Sequence, residues 1–243
     1  MGFDLKERIR LTSESTIDRD LKIGKTRKIV TALEKEYGIP ENKKKRPILD
    51  SFIVTMLSQS TSDHNRDMAY KRLVSRYRTW EEVCEAPIEA IVDAIRPGGL
   101  ANQKSVRIKA FLEWLKQTYG SLNLDFICQM PTREVIDIFS KIKGIGIKTI
   151  SVVLLFSCDR DIFPVDTHVH RICKRLGFVP EKATAEKTHW EMQPLVPEGK
   201  SLSLHLNFLK LGRSLCRPRN PQCVKCPINI YCNYSNRDHS NDI

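Results

Sequence analysis

Apolar residues recur every three to four positions along most of the chain, and few segments alternate with period two. That pattern predicts helices joined by short links. One helix is expected over 26–37, ended by Gly38 and Pro40, and a strongly apolar one over 48–58, central in the fold. An amphipathic helix should cover 63–77, with Asp63 placed to cap its start, and a short one 87–95, stopped by "RPGG". A long periodic helix fits 102–119, halted by Gly120, and Pro131, Thr132 and Arg133 open another with Thr132 as N-cap. Further helices are expected over 148–157, 168–176 up to Gly177, 184–195 and 202–212. "ENKKKRP", 41–47, reads as a basic connector, and "SNRDHSNDI" at the end as a frayed tail. The chain has neither an internal repeat nor a low-complexity tract, and its expected class is all-α.

At 243 residues and 41% apolar content, the chain can build one large domain or two small ones. A formal net charge of +11 makes a long polyanion a plausible partner. No run approaches the ~18 apolar residues of a bilayer span, and "MGFDLKERIR" lacks the apolar stretch of a signal peptide. A cytoplasmic or nucleoid-associated protein is expected, with no membrane partner. Of eight cysteines, Cys84, Cys128, Cys158 and Cys173 lie in apolar helical contexts and read as buried small hydrophobes.

The other four, Cys216, Cys223, Cys226 and Cys232, form C-x6-C-x2-C-x5-C. Four thiolates at such spacing hold zinc or a cubane iron–sulfur cluster. Structural zinc usually takes two close ligand pairs, and only one pair is close here, which tilts the choice to [4Fe–4S]. The tail is too short to build much core, so a metal centre would serve as its core. Arg213, Arg217, Arg219 and Lys225 punctuate these loops and favour a platform offering positive charge to phosphate.

In "KIKGIGIKTISVVLLF" two glycines, Gly144 and Gly146, stand between a helical pattern and an apolar run. They permit a tight helix–turn–helix whose second helix begins with free N–H groups, able to hold a phosphate. An ordinary αα turn would look the same, and no P-loop or dinucleotide spacing is present. Lys148 follows at once. At a helix N-terminus, and partly desolvated, a lysine loses proton affinity and becomes a candidate amine nucleophile. Downstream, in "FPVDTHVHR", Asp166 is either the N-cap of the next helix or a carboxylate assisting proton transfer. His64 and His205 have no acid partner at convincing spacing, and the histidines make no zinc set.

"KGIGIKT", "VDTHVHRICKRLG", "MLSQSTSD", "GGLANQKSVRI" and the four-cysteine pattern together resemble the endonuclease III family, from about Asp50 to Cys232. These are helix–hairpin–helix DNA glycosylases with a [4Fe–4S] cluster. The resemblance implies a six-helix barrel domain over 41–160 packed against a discontinuous iron–sulfur cluster domain, 1–40 with 161–243. It makes Lys148 the catalytic nucleophile, Asp166 its essential carboxylate, and Cys216, Cys223, Cys226 and Cys232 the cluster ligands. Gly144 and Gly146 would grip a DNA phosphate. Leu100 falls where the family places a side chain that enters the base stack, with Asn102 and Lys104 beside it. Ser60 stands where the family usually has glutamine, next to Gln59. Both are expected near the lesion gap, as is His168 at the pocket edge. "SQSTSDH" is also somewhat similar to plant 5-methylcytosine glycosylases.

The implied activity is a bifunctional DNA glycosylase and AP lyase of base excision repair. It would remove oxidised pyrimidines such as thymine glycol and cut 3′ to the lesion by β-elimination, working as a monomer on duplex DNA with a damaged base or abasic site. Two alternatives stand beside it. One is a monofunctional or mismatch-directed glycosylase acting on uracil or thymine opposite guanine, or on methylated bases. The other is a DNA-binding module without catalysis.

Overall fold

A computed structural model of the chain describes residues 5–42 and 45–235, with side chains from residue 16 onward. Every regular element among them is helical. The chain divides into two compact units, Lys43–Arg160 and the pair of segments Met1–Asn42 and Asp161–Ile243.

The discontinuous unit begins with α1, Leu5–Tyr37, far longer than the expected 26–37. The added turns are rich in Lys, Glu, Arg and Leu, good helix formers without an apolar stripe, so periodicity gave no signal there.

The continuous unit is built around α2, Ile48–Leu57, in which every residue but Asp50 is buried. Asp50 is kept on this apolar helix by two donors, the Tyr70 hydroxyl and the Trp80 indole Nε1 at 3.1 Å. α3, Asp63–Arg76, buries only Ala69 and Leu73, one turn apart. Ser62, not Asp63, caps it, taking the Asn65 N–H at 3.2 Å. Asp63 is instead the first helical residue and pairs with Arg66 at 2.7 Å.

α4, Trp80–Glu85, is too short for its period to be read from sequence; Thr79 caps it and Pro87 follows. α5, Ile88–Ile95, runs into a 3-10 turn, Arg96–Gly98, and α6 spans Ala101–Tyr119. α7, Thr132–Phe139, has Pro131 at its N-cap position, and its Thr132 hydroxyl accepts from Arg160 at 2.9 Å instead of capping. α8, Ile147–Ser157, packs along α2. Phe52, Phe111 and Phe139, none of them solvent-exposed, join α2, α6 and α7 with ring centroids 5.3, 5.4 and 6.5 Å apart. Truncating any one to alanine costs ~3–5 kcal/mol.

Cys128 and Cys158 correct the sequence expectation. They are half-buried and form a disulfide with Cα atoms 5.2 Å apart, joining the 3-10 turn Asp125–Cys128 to the C-cap of α8. Their apolar neighbours suggested core thiols, and no spacing rule pairs cysteines 30 residues apart. Cys84 and Cys173 are buried free thiols.

In the discontinuous unit, α9, Thr167–Arg175, buries Val169, Ile172 and Cys173 against α10, Ala185–Met192, and α11, Ser201–Ser214. Ile29, Val30 and Leu33 of α1 complete that core, with Phe163, Phe178 and Phe208. Glu34 ties α1 to α11 through Ser203 at 2.6 Å and Lys200 at 3.0 Å. No helix among the described residues is long and apolar enough to cross a membrane. Most of the tail expected to fray, and residues 43 and 44 of the basic connector, lie outside the described residues.

Candidate functional site

The turn between α7 and α8 uses its two glycines differently. Gly144 has φ +93°, which only glycine adopts freely, and a Cβ there would lie 2.8 Å from Arg107 Cδ. Gly146 is extended, with φ −100°, exposed, and has nothing within 4 Å of a Cβ position. Its smallness leaves room for an incoming group, not for a neighbouring side chain. Gly146 is also the N-cap of α8, so no side-chain oxygen from the cap meets the first N–H groups of that helix. Ile145, between the glycines, is buried and anchors the turn. Lys148 is the second residue of α8 and half-buried, in the first turn at the positive helix end.

Two more turns of this unit carry expected contact residues. Ser60 and Leu100 have φ +52° and +49°, in the left-handed region that side chains avoid. Both are exposed, Leu100 by 52%, a large apolar side chain held out at the head of α6. Asn102 is exposed on the first turn of α6.

Lys104 is a correction. Lys104 is 1% exposed and donates to the carbonyls of Leu57 and Gly98, both at 2.7 Å, so its ammonium is not available to a phosphate. Burial pulls its pKa down. Gln59 is half-buried and uses both ends of its amide within the protein: Nε2 donates to Gly144 O at 3.1 Å, and Oε1 accepts from Arg107 at 3.0 Å. Arg107, not singled out in the sequence, thus supports the glycine turn from below.

In the other unit Asp166 is the N-cap of α9, and its Oδ1 accepts the Val169 N–H at 2.8 Å. The strand of chain before it is pinned at successive residues. Gln193 accepts from Phe163 N at 2.9 Å and donates to Phe163 O at 2.8 Å, and His205 donates from Nδ1 to Pro164 O at 3.0 Å. His189, fully buried beside Gln193, is held at a pKa of about 4, chiefly by burial. His168 is half-buried on the face of α9 against Gly212 of α11, and its Nδ1 accepts from Arg171 at 3.1 Å.

Cys216, Cys223, Cys226 and Cys232 are all free and half-buried, and three of them pack on the edge of the core. Burial pushes the Cys226 thiol up to about 11, and the charges of Cys216, Cys232 and Cys223 push the same way. Cys223 is raised by burial and by Cys232 and Cys216. As they stand, no three His, Cys, Asp or Glu side chains among the described residues are arranged to hold a metal ion. Arg175 donates to Cys216 Sγ at 3.2 Å, and its carbonyl faces Cys232 Sγ at 3.4 Å. Arg217, Arg219 and Lys225 are exposed on the same loops.

Comparison with known proteins gives one answer. Residues 53–198 match the family described as "HhH-GPD superfamily base excision DNA repair protein". Endonuclease III of Thermotoga maritima is 33% identical over 198 residues, covering 82% of this chain and 88% of that protein. An Arabidopsis thaliana relative is 35% identical over 183 residues, and the aligned chain spans 60% of its length. The solved structure of a non-covalent endonuclease III–DNA complex superposes with TM-score 0.75 at 25% identity, over 88% of this chain and 96% of that one. With its all-α architecture and glycine hairpin, the chain belongs to the HhH-GPD superfamily of base excision DNA repair proteins and, within it, to the endonuclease III family.

Proposed function

We propose that this protein is a bifunctional DNA glycosylase and AP lyase whose nucleophile is Lys148. The observation that carries the reading is the placement of Lys148: half-buried, one residue into α8, directly behind an uncapped turn that ends in the open Gly146. The helix N-terminus disfavours the charged ammonium and offers N–H groups to a phosphate. A similar endonuclease III solved as a trapped covalent DNA intermediate supports a reaction that passes through a covalent adduct.

In this reading the damaged nucleotide leaves the stack, Leu100 enters the gap, and the hairpin holds a neighbouring phosphate. The neutral Lys148 amine forms a bond to C1′ of the sugar, and the C1′–N bond breaks with its electron pair leaving on the base. The base takes up a proton, the sugar ring opens, and a Schiff base results. Loss of a proton from C2′ then expels the 3′ phosphate, and water hydrolyses the imine. Asp166 favours positive charge developing at the sugar and relays a proton. Oxidised pyrimidines, with the 5,6 double bond lost, are the substrates that leave most readily.

Lys43–Arg160 is then the barrel domain, its seven helices α2 to α8 including the six-residue α4 beside the six expected, and the remaining segments are the cluster domain. Cys216, Cys223, Cys226 and Cys232 would hold a [4Fe–4S] cluster, which when bound cross-links the tail and presents its basic loops to DNA. The partner is a duplex with a damaged base or abasic site, bound by a monomer.

The test is borohydride trapping on duplexes carrying thymine glycol or an abasic site. A stable adduct should form and map to Lys148, and Lys148→Gln should form none while still binding damaged duplex. Base release without any trappable intermediate would move the protein to the monofunctional class.

A further inference from the structure

Ser60 and Leu100 are two of only four non-glycine residues with positive φ among the described ones, and both protrude from the Lys43–Arg160 unit. Left-handed side chains persist only where the surroundings over-determine the turn. One buried side chain is bonded to the backbone close to both.

Lys104 Nζ donates at 2.7 Å to Leu57 O and at 2.7 Å to Gly98 O. Leu57 closes α2 and lies three residues before Ser60, and Gly98 closes the 3-10 turn Arg96–Gly98, two residues before Leu100. Both acceptors are carbonyls at helix C-termini, where the negative pole favours a cation. The backbone of the same residue makes the first bond of α6, Lys104 N–H to Leu100 O at 3.0 Å. A lysine 1% exposed is costly to bury, and these two dipoles compensate it at this one place. The turn that carries Ser60 is tied a second time, through Gln59 to Gly144 O and Arg107.

We propose that Lys104 is a positioning residue that sets the spacing of Ser60 and Leu100 from beneath, so that both reach the base stack in register. The inference rests on the reading of Leu100 as the gap-filling side chain. It assigns to Lys104 no contact with DNA. A lysine that merely stabilised the unit would lower every activity alike when removed, and one that touched phosphate would set affinity and its salt dependence.

The experiment compares the native protein, Lys104→Met, Leu100→Ala and the double variant in single-turnover cleavage. Each is offered the same oxidised pyrimidine in a duplex and in a single strand, where no gap needs filling. Lys104→Met should slow duplex cleavage by about ten- to a hundredfold, the cost of misplacing a group by about 1 Å. Single-strand cleavage should change by no more than about threefold, and affinity for undamaged duplex and its salt slope should hold. In the Leu100→Ala background the Lys104 change should cost clearly less than it does alone, because the part that acts through Leu100 is already lost and only the part through Ser60 remains.

Equal losses on duplex and single strand, a fall in undamaged-duplex affinity with a shallower salt slope, or full additivity with Leu100→Ala would each overturn the proposal. If circular dichroism shows Lys104→Met unfolded, Lys104→Gln, which retains two N–H donors, takes its place in the same cycle. A native protein that cleaves no lesion would instead sink the functional reading. In that event, 2-aminopurine fluorescence opposite an abasic site still reports entry of the turns, and an equal signal from native and variant overturns the role of Lys104.

Discussion

Asp166 holds the N–H of Val169 at 2.8 Å, so the carboxylate assigned to catalysis is also the cap of its helix. The two roles separate by substitution. Asparagine caps as well as aspartate, so Asp166→Asn should unfold in urea within a few tenths of a kcal/mol of the native protein, whereas Asp166→Ala should lose about 1 kcal/mol. Both should release base far more slowly. On a preformed abasic site, where no base remains to be expelled, Asp166→Asn should still give some borohydride adduct. An asparagine variant that releases base at the native rate would leave Asp166 as a cap and nothing more.

The bridge between Cys128 and Cys158 closes a loop with a sequence separation of 30. Chain-entropy reasoning gives such a closure roughly 3 to 4 kcal/mol of stability. Urea unfolding in the presence and absence of reductant, and of Cys128→Ser, should show that loss in the midpoint, with cleavage of lesion DNA retained below it. Identical midpoints would mean the two thiols contribute only as packed side chains.

Stability should fall in mild acid. His189 titrates near pH 4 when folded against 6.5 ordinarily, because burial disfavours its cation. Between those values the unfolded chain binds more protons, so the contribution is complete above pH 6.5 and is lost as pH falls toward about 4. The full term is about 3 kcal/mol. His170, also lowered by burial, adds slope in the same direction. Melting temperatures measured across this range should drop for the native protein and flatten for His189→Gln. An unchanged slope in the variant would place the sensitivity elsewhere.

Metal analysis of protein purified without air should find about four irons per chain, as a cubane requires. Stripping them, or replacing Cys226 with serine, should expose the tail to protease, since ligand binding is coupled to its folding. One zinc and no iron would overturn the cluster assignment.

Much of this was legible in the sequence because long helices advertise their period. The 102–119 pattern became α6, Ala101–Tyr119, and the apolar 48–58 run became the buried α2. The Gly144–Gly146 turn was readable because its glycines punctuate two periodic segments. What was missed depends on contacts distant in sequence. The resemblance puts Lys104 and Gln59 beside the DNA, and only the fold shows each bonded to backbone from another turn. The same holds for the Cys128–Cys158 bridge and for Arg107 beneath Gly144. Helix starts were misplaced by a residue at Ser62, where two neighbours could each cap, and at Pro131, which takes the cap position without a capping bond while Thr132 is bonded to Arg160.

Leu100 sits where folding by itself would choose glycine. A left-handed leucine costs roughly 1 to 2 kcal/mol, and its exposed side chain recovers little of that by packing. Random variants screened for heat resistance alone, with no damaged DNA in the assay, should therefore drift to glycine or asparagine at position 100. Libraries screened for repair should keep a large apolar side chain there despite the lower melting point. The divergence of the two populations at a single codon would give a direct reading of what selection by damaged DNA has imposed on this fold.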